Sequence, residues 1–236
     1  MSVLTLEDVH SYYGTSHILQ GMNFEINAGE TVALLGRNGA GKTTTMRSIT
    51  GLLEPRSGRV MHQGENLAGR PAYEISRRGI KLVPEERRVF PELSVDDNMM
   101  LARRQANETT RTNEEMYELA PLLDPLRDRL AKNLSGGEQQ MLAVCRALIQ
   151  DPEILLLDEP SEGLAPVVVE NLQEIFEDLV EEDVTILLSE QNVPFALGLT
   201  DRCYIIDKGK IVYEGTVEEI KERDDLLDEY LAVTSV

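Results

Sequence analysis

The 236-residue sequence lacks any apolar run of the roughly 18–20 residues needed to cross a bilayer. Its uninterrupted apolar stretches, such as Ile154–Leu157, have the length of a buried strand. The start of the chain, Met1-Ser2-Val3-Leu4-Thr5-Leu6-Glu7-Asp8, has no basic segment and no long apolar segment, so no signal peptide and a cytoplasmic location are expected. Cysteine is limited to Cys145 and Cys203, which show no metal-ligand spacing and are expected to be reduced core residues. Positive charge is also short: 23 Lys and Arg stand against 42 Asp and Glu, a formal net charge of −19. A surface this acidic repels phosphate backbones and anionic lipid, which argues against a nucleic-acid partner and against direct adhesion to a membrane. Repeats, low-complexity tracts and a clear linker are absent.

An acid-rich, lysine-poor surface is expected where a protein must stay soluble in concentrated salt, which screens its self-repulsion. The expected result is a melting temperature and a turnover that both fall as KCl is lowered from molar to millimolar. Full stability and activity at low salt would remove the halophilic reading.

Apolar residues make up 42% of the sequence, enough for a full core, and disorder is not expected. The length suits one domain, with or without an inserted subdomain. Residues 3–8 and 17–27 read as edge strands around a turn at Gly14. A short apolar run at Thr31–Leu35 precedes a glycine-rich turn and a predicted helix over Lys42–Leu53. Further strand signals lie at Ile80–Val83, Ile154–Leu157, Thr185–Leu188, Cys203–Ile206 and Lys210–Tyr213, with helical stretches near 166–181, 193–199 and 216–231. Residues 95–150 carry several helical patterns and no convincing strand, which predicts an inserted helical subdomain within a single domain spanning 1–236. Strands alternating with helices predict an α/β fold with a mostly parallel sheet.

Gly36-Arg37-Asn38-Gly39-Ala40-Gly41-Lys42-Thr43, followed by Thr44, matches the phosphate-loop pattern G-x-x-x-x-G-K-[ST]. Glycines let the backbone curl and aim N–H groups at phosphate oxygens, and the helix after the loop adds the positive end of its dipole. Lys42 is expected on the β- and γ-phosphates, and the Thr43 hydroxyl on Mg²⁺. Ile154-Leu155-Leu156-Leu157-Asp158-Glu159 is an apolar strand ending in two acids. Asp158 is expected to hold Mg²⁺. Glu159, read as facing the other side of the strand, is expected to accept a proton from the attacking water. The bland alternative is a strand end with two solvated acids. Leu134-Ser135-Gly136-Gly137-Glu138 precedes a helical stretch at Gln139–Gln150. Ser135, Gly136 and Gly137 could form a second anion site at its N-terminus, or Ser135 with Glu138 could be an ordinary capping box.

GRNGAGKT, LSGGE and ILLLDEP, in this order and spacing, resemble the ATP-binding cassette superfamily over nearly the whole chain. The resemblance implies a P-loop NTPase core with an N-terminal antiparallel β subdomain, Mg²⁺-dependent ATP hydrolysis, and a dimer in which ATP lies between one subunit's phosphate loop and the other's LSGG. It implies that Tyr13 stacks on adenine, unless it is merely a tyrosine at a strand edge. Ala165, in Ser161-Glu162-Gly163-Leu164-Ala165, stands where most cassettes carry Asp. Glu85 stands where the family has a Gln that senses Mg²⁺ and the transmembrane partner; it can accept from water or approach the metal but cannot donate. Gln191 stands where most cassettes place a His on the γ-phosphate; its amide can donate but does not titrate near neutral pH, so more of the acid–base work falls on Glu159.

These departures, with VPE-x-RRVFP, LSGGEQQML and DEPS-x-GLAP, resemble the ATP-binding subunits of branched-chain amino acid transporters. That branch implies a partner cassette, two transmembrane permease subunits and an extracytoplasmic substrate-binding protein, with the cassette peripheral on the inner face of the membrane. Phe90, Pro91 and Leu93 are candidate apolar contacts to the permease, with packing into the helical region the alternative for Leu93. Other transporters such as the urea type, a soluble cassette ATPase and a non-hydrolysing sensor are the competing readings. The last conflicts with an intact Lys42, Asp158 and Glu159.

Overall fold

The computed structural model describes residues 1–105 and 111–231. Strand β3 (Thr31–Leu35) is buried throughout and sits inside a six-stranded sheet. On one side it pairs in parallel with β8 (Thr185–Glu190), then β7 (Ile154–Asp158), then β6 (Ile80–Val83). On the other it pairs in parallel with β9 (Arg202–Asp207), and β10 (Lys210–Thr216) closes that edge antiparallel. Central strands with both faces covered read as apolar runs rather than alternations. Alternate residues nonetheless enter two different cores. Ala33, Leu35, Leu155, Leu157, Ile186 and Leu188 pack beneath α5 (Gly136–Leu148), α6 (Pro166–Glu181) and α7 (Val193–Leu199). Val32, Leu34, Leu156 and Leu187 pack with Met46 and Ile49 of α1 (Lys42–Ile49) and with a second sheet.

That second sheet is antiparallel, in the order β2 (Ser16–Asn27), β1 (Ser2–Tyr13), β4 (Ser57–His62), β5 (Glu65–Asn66). Strand β1 is therefore interior, not an edge, and runs to Tyr13 rather than stopping at residue 8. Asp8 adopts φ 49 and the pairing with β2 shifts register between Leu6 and Val9. This bulge breaks the alternation that sequence reading relies on while letting the strand continue. Strands β4 and β5 and helix α2 (Ala72–Arg77) went unforeseen, because segments of two to six residues with few apolar side chains have little hydrophobic period. The first helix stops at Ile49 instead of Leu53: Thr50 bonds back to Met46 O at 2.9 Å and Gly51 turns out at φ 68. The stretch 216–231 is not one helix but the pieces α8 (Val217–Lys221), Asp224–Leu226 and a π-turn at Leu227–Leu231.

Between β6 and β7 the described chain is helical, with α3 (Val95–Arg104), α4 (Asn113–Leu119) and α5; residues 106–110 of the expected helical subdomain lie outside the described residues. Ser94 caps α3 by accepting from Asp97 N at 3.0 Å. Acids occupy its first turn and Arg103 and Arg104 end it, as the helix dipole favours.

One turn fixes the sheet to the phosphate loop. Gly209 (φ +76) joins β9 to β10; its N–H donates to Ala40 O at 2.8 Å and its carbonyl accepts from Gln20 N at 2.9 Å. A Cβ here would fall 1.7 Å from Ile18 O. Gly209→Ala is expected to cost about 3 kcal/mol, from left-handed strain plus a forced backbone shift. A loss under about 1 kcal/mol by urea unfolding would contradict it.

Candidate active site

The phosphate loop starts where β3 ends. Gly36 is buried, and Gly39 and Gly41 take φ 80 and 121. No side chain caps α1 at Gly41, so the first N–H groups of that helix are available to an anion. The Lys42 ammonium, 3% exposed, donates to Gly36 O at 2.6 Å and Arg37 O at 3.3 Å, and lies 3.0 Å from Glu159 Oε1. Gly39, Gly41, Lys42, Thr43, Thr44 and Glu159 line a cleft of about 190 Å³, with Ile18 as its apolar wall.

Asp158, 2% exposed, ends β7; its Oδ1 accepts from Ser189 Oγ at 2.6 Å and from Thr43 Oγ1 at 3.3 Å. Burial raises its carboxyl above the usual range, while those two hydroxyls oppose the rise. A buried carboxylate beside hydroxyl oxygens is a hard oxygen donor set of the kind Mg²⁺ prefers. Glu159 does not simply alternate to the opposite strand face. It lies beyond the strand end in the left-handed region, φ 48, and its head group turns onto Lys42. Both acids therefore converge on the phosphate loop.

Two more carboxyls feel this cluster. Glu85, exposed on the loop after β6, is raised by partial burial and by the charges of Glu159 and Asp158. Glu162 is pushed up to about 7, first by its hydrogen bond to Glu159, then by burial and neighbouring charge. Because the folded value exceeds the ordinary 4.5, the folded chain holds this proton more tightly, and the group costs stability as pH rises from about 4.5 to about 7. Glu162→Gln is expected to flatten that part of the stability–pH curve. Parallel curves for both proteins between pH 4.5 and 8 would exclude it.

Tyr13 is 43% exposed at the end of β1, and its hydroxyl accepts from Arg47 Nη1 at 3.3 Å, leaving a ring face open to solvent. Ser135 is exposed and forms the capping box with Glu138: Glu138 N donates to Ser135 Oγ at 3.3 Å. Gly137 leaves no room for a side chain, since a Cβ would meet Val168 at 2.6 Å, while at Gly136 a Cβ would displace the guanidinium end of Arg87, 2.7 Å away. Ser135, Gly136 and Gly137 do not line the phosphate cleft of their own chain, and neither does Gln191, whose side chain is exposed. Sequence reading missed Ser189 and Glu190 at the end of β8, and Ile18. The register Asp158↔Ser189 was the available signal, but it depends on strand order.

A profile of the ABC transporter family matches residues 19–162, more than half of the chain. The chain belongs to the ABC transporter family. The cassette is 40% identical to the high-affinity branched-chain amino acid transport ATP-binding protein BraG of Pseudomonas aeruginosa, over 97% of this chain and 99% of that protein. It is 33% identical to the lipopolysaccharide export system ATP-binding protein LptB of Haemophilus influenzae, over 98% of both. Among solved structures, the cassette superposes on the dimeric bacterial ABC transporter cassette MJ0796 with a TM-score of 0.81 and 25% identity, covering 91% of this chain and 98% of that one. The fold is thus that of an ABC ATPase: a mixed, mainly parallel sheet with an antiparallel β subdomain and helices.

Proposed function

We propose that this cassette hydrolyses ATP to drive an importer for branched-chain or related amino acids. The observation that carries hydrolysis is the convergence of Asp158 and Glu159 on the phosphate loop, with Thr43 and Lys42 opposite them. The loop from Gly36 to Thr44 and the Lys42 ammonium bind the phosphates, and Tyr13 stacks on the adenine. Thr43 and Asp158 would hold Mg²⁺, with Glu85 facing it. When bound, the metal would neutralise charge on the phosphates. Glu159 takes the proton from the attacking water, and the Gln191 amide donates to the γ-phosphate. Ser135, Gly136 and Gly137 serve the site of a second cassette, consistent with the exposed Ser135 and with the absence of all three from the cleft of their own chain.

A contact surface for the membrane partner is offered by a second cleft of about 290 Å³ on the other side of Glu85's loop, lined by Pro84, Arg87, Arg88, Arg146 and the aliphatic Leu52 and Leu82. Phe90 beside it is 39% exposed with Arg146 stacked at 4.6 Å, and Pro91 is exposed, while Leu93 is half-buried. An exposed aromatic at such a rim suits a permease contact. No helix among the described residues is long and apolar enough to cross a membrane, so attachment would run through permease subunits. The full assembly would include an extracytoplasmic substrate-binding protein.

Identity to BraG along almost the whole chain supports amino acid import; the similarity to LptB favours export as the second reading. Deleting the gene is expected to abolish uptake of labelled leucine, isoleucine and valine, and the tagged cassette is expected to bring down two membrane subunits. Normal uptake would sink the import reading. Recovery without membrane subunits would favour a soluble ATPase.

A further inference from the structure

We infer that Glu190 is a positioning residue that locks the loop after Glu159 to the loop carrying Gln191. Glu190 ends β8 and is 1% exposed. Its Oε1 accepts from Ser161 N at 2.9 Å; its Oε2 accepts from Gln191 N and from Asn192 N, both at 3.1 Å. Burying a carboxylate is expensive unless donors face it, and here the donors are three backbone N–H groups from two separate loops.

The consequence is mechanical. Ser161 lies two residues after Glu159, whose own N–H donates to Ser189 O at 2.9 Å. Asn192 caps α7, accepting from Phe195 N at 3.3 Å. One rigid carboxylate therefore ties the base, the start of the 161–165 loop and the entry to α7 into a single unit. A shift of Gln191 toward or away from a γ-phosphate is passed to the loop after Glu159. Only a carboxylate fits this role. A glutamine has one acceptor oxygen, so either Ser161 N–H or the Gln191–Asn192 pair would face an NH₂ group. An aspartate is one methylene too short to reach both loops.

The inference rests on the hydrolytic reading of the site and is independent of the transported substrate. It is tested on the full-length cassette assembled with its permease by steady-state ATP hydrolysis in wild type, Glu190→Gln, Gln191→Ala and the double variant. Glu190→Gln is expected to lower kcat by about 10- to 100-fold, as for a misplaced catalytic group, with KM for ATP within about threefold. Because Glu190 acts through Gln191, the double variant is expected to lose little more than the worse single one, a strong departure from additivity. Unchanged kcat in Glu190→Gln, fully additive losses, or a loss that merely tracks the folded fraction would each overturn the inference.

Hydrogen exchange on the wild-type chain supplies a readout that survives poor folding of any variant. The amides of Ser161, Gln191 and Asn192 are expected to open together, with one protection factor, and three unrelated protection factors would overturn the clamp. A wild-type cassette with no turnover, in the presence of its permease, would overturn the hydrolytic reading instead.

Discussion

Replacing Glu159 by glutamine is expected to lower kcat for ATP hydrolysis by about 10²- to 10⁴-fold, the range for removing a general base. ATP binding is expected to stay within about threefold of wild type. The amide has nearly the same shape but cannot take a proton from water. Gln191 cannot take over, because its side chain is an amide that does not titrate near neutral pH. The fold is expected to survive, since Lys42 keeps Gly36 O and Arg37 O as acceptors at 2.6 and 3.3 Å. Single-turnover kinetics with a binding isotherm separate the two effects, and near-normal turnover would remove Glu159 from the role.

Lys42→Ala is expected to fail at binding rather than at chemistry. Charge-assisted hydrogen bonds to phosphate are lost, weakening ATP by about 100-fold. A second cost falls on the protein itself. Glu159, 8% exposed and 3.0 Å from Lys42, would be a buried carboxylate without its cation. Removing one member of a buried ion pair costs about 3–5 kcal/mol, much more than deleting both. The double variant Lys42→Ala with Glu159→Gln is therefore expected to recover most of the stability and none of the affinity. A single Lys42→Ala variant as stable as wild type in urea would show that the pair is not buried in solution.

The parts of this site that were legible in the sequence are those whose chemistry is local. The phosphate loop needs glycine, lysine and threonine at fixed spacing because one turn of backbone and one helix start must surround phosphate. The run Ile154–Leu157 ending in Asp158 and Glu159 was readable because a doubly buried strand is apolar throughout and delivers its last residues to the sheet's carboxyl edge. Glu85, Gln191 and Ala165 stood out only as departures from a family pattern.

The parts that were illegible depend on distant segments. The alternation rule misdirected Glu159, because its left-handed backbone turns both acids the same way. Asp8's bulge hid half of β1 for a similar reason: a single non-repeating residue destroys a period of two. Nothing local marks Glu190 as buried, since glutamates are almost always exposed and its three donors come from two loops.

By itself, the sequence determined the phosphate-loop motif, the acidic end of an apolar strand, and a mainly parallel sheet. Those properties are carried by short-range spacing and hydrophobic period. Only the tertiary structure decided that Asp158 shares Thr43 and Ser189, that Lys42 and Glu159 pair across the cleft, that Gly209 braces the loop from behind, and that the Glu190 carboxylate accepts from the backbone of two separate loops. These contacts join residues far apart in the chain, and they exist only once the strand order β9-β3-β8-β7 has brought the strand ends side by side.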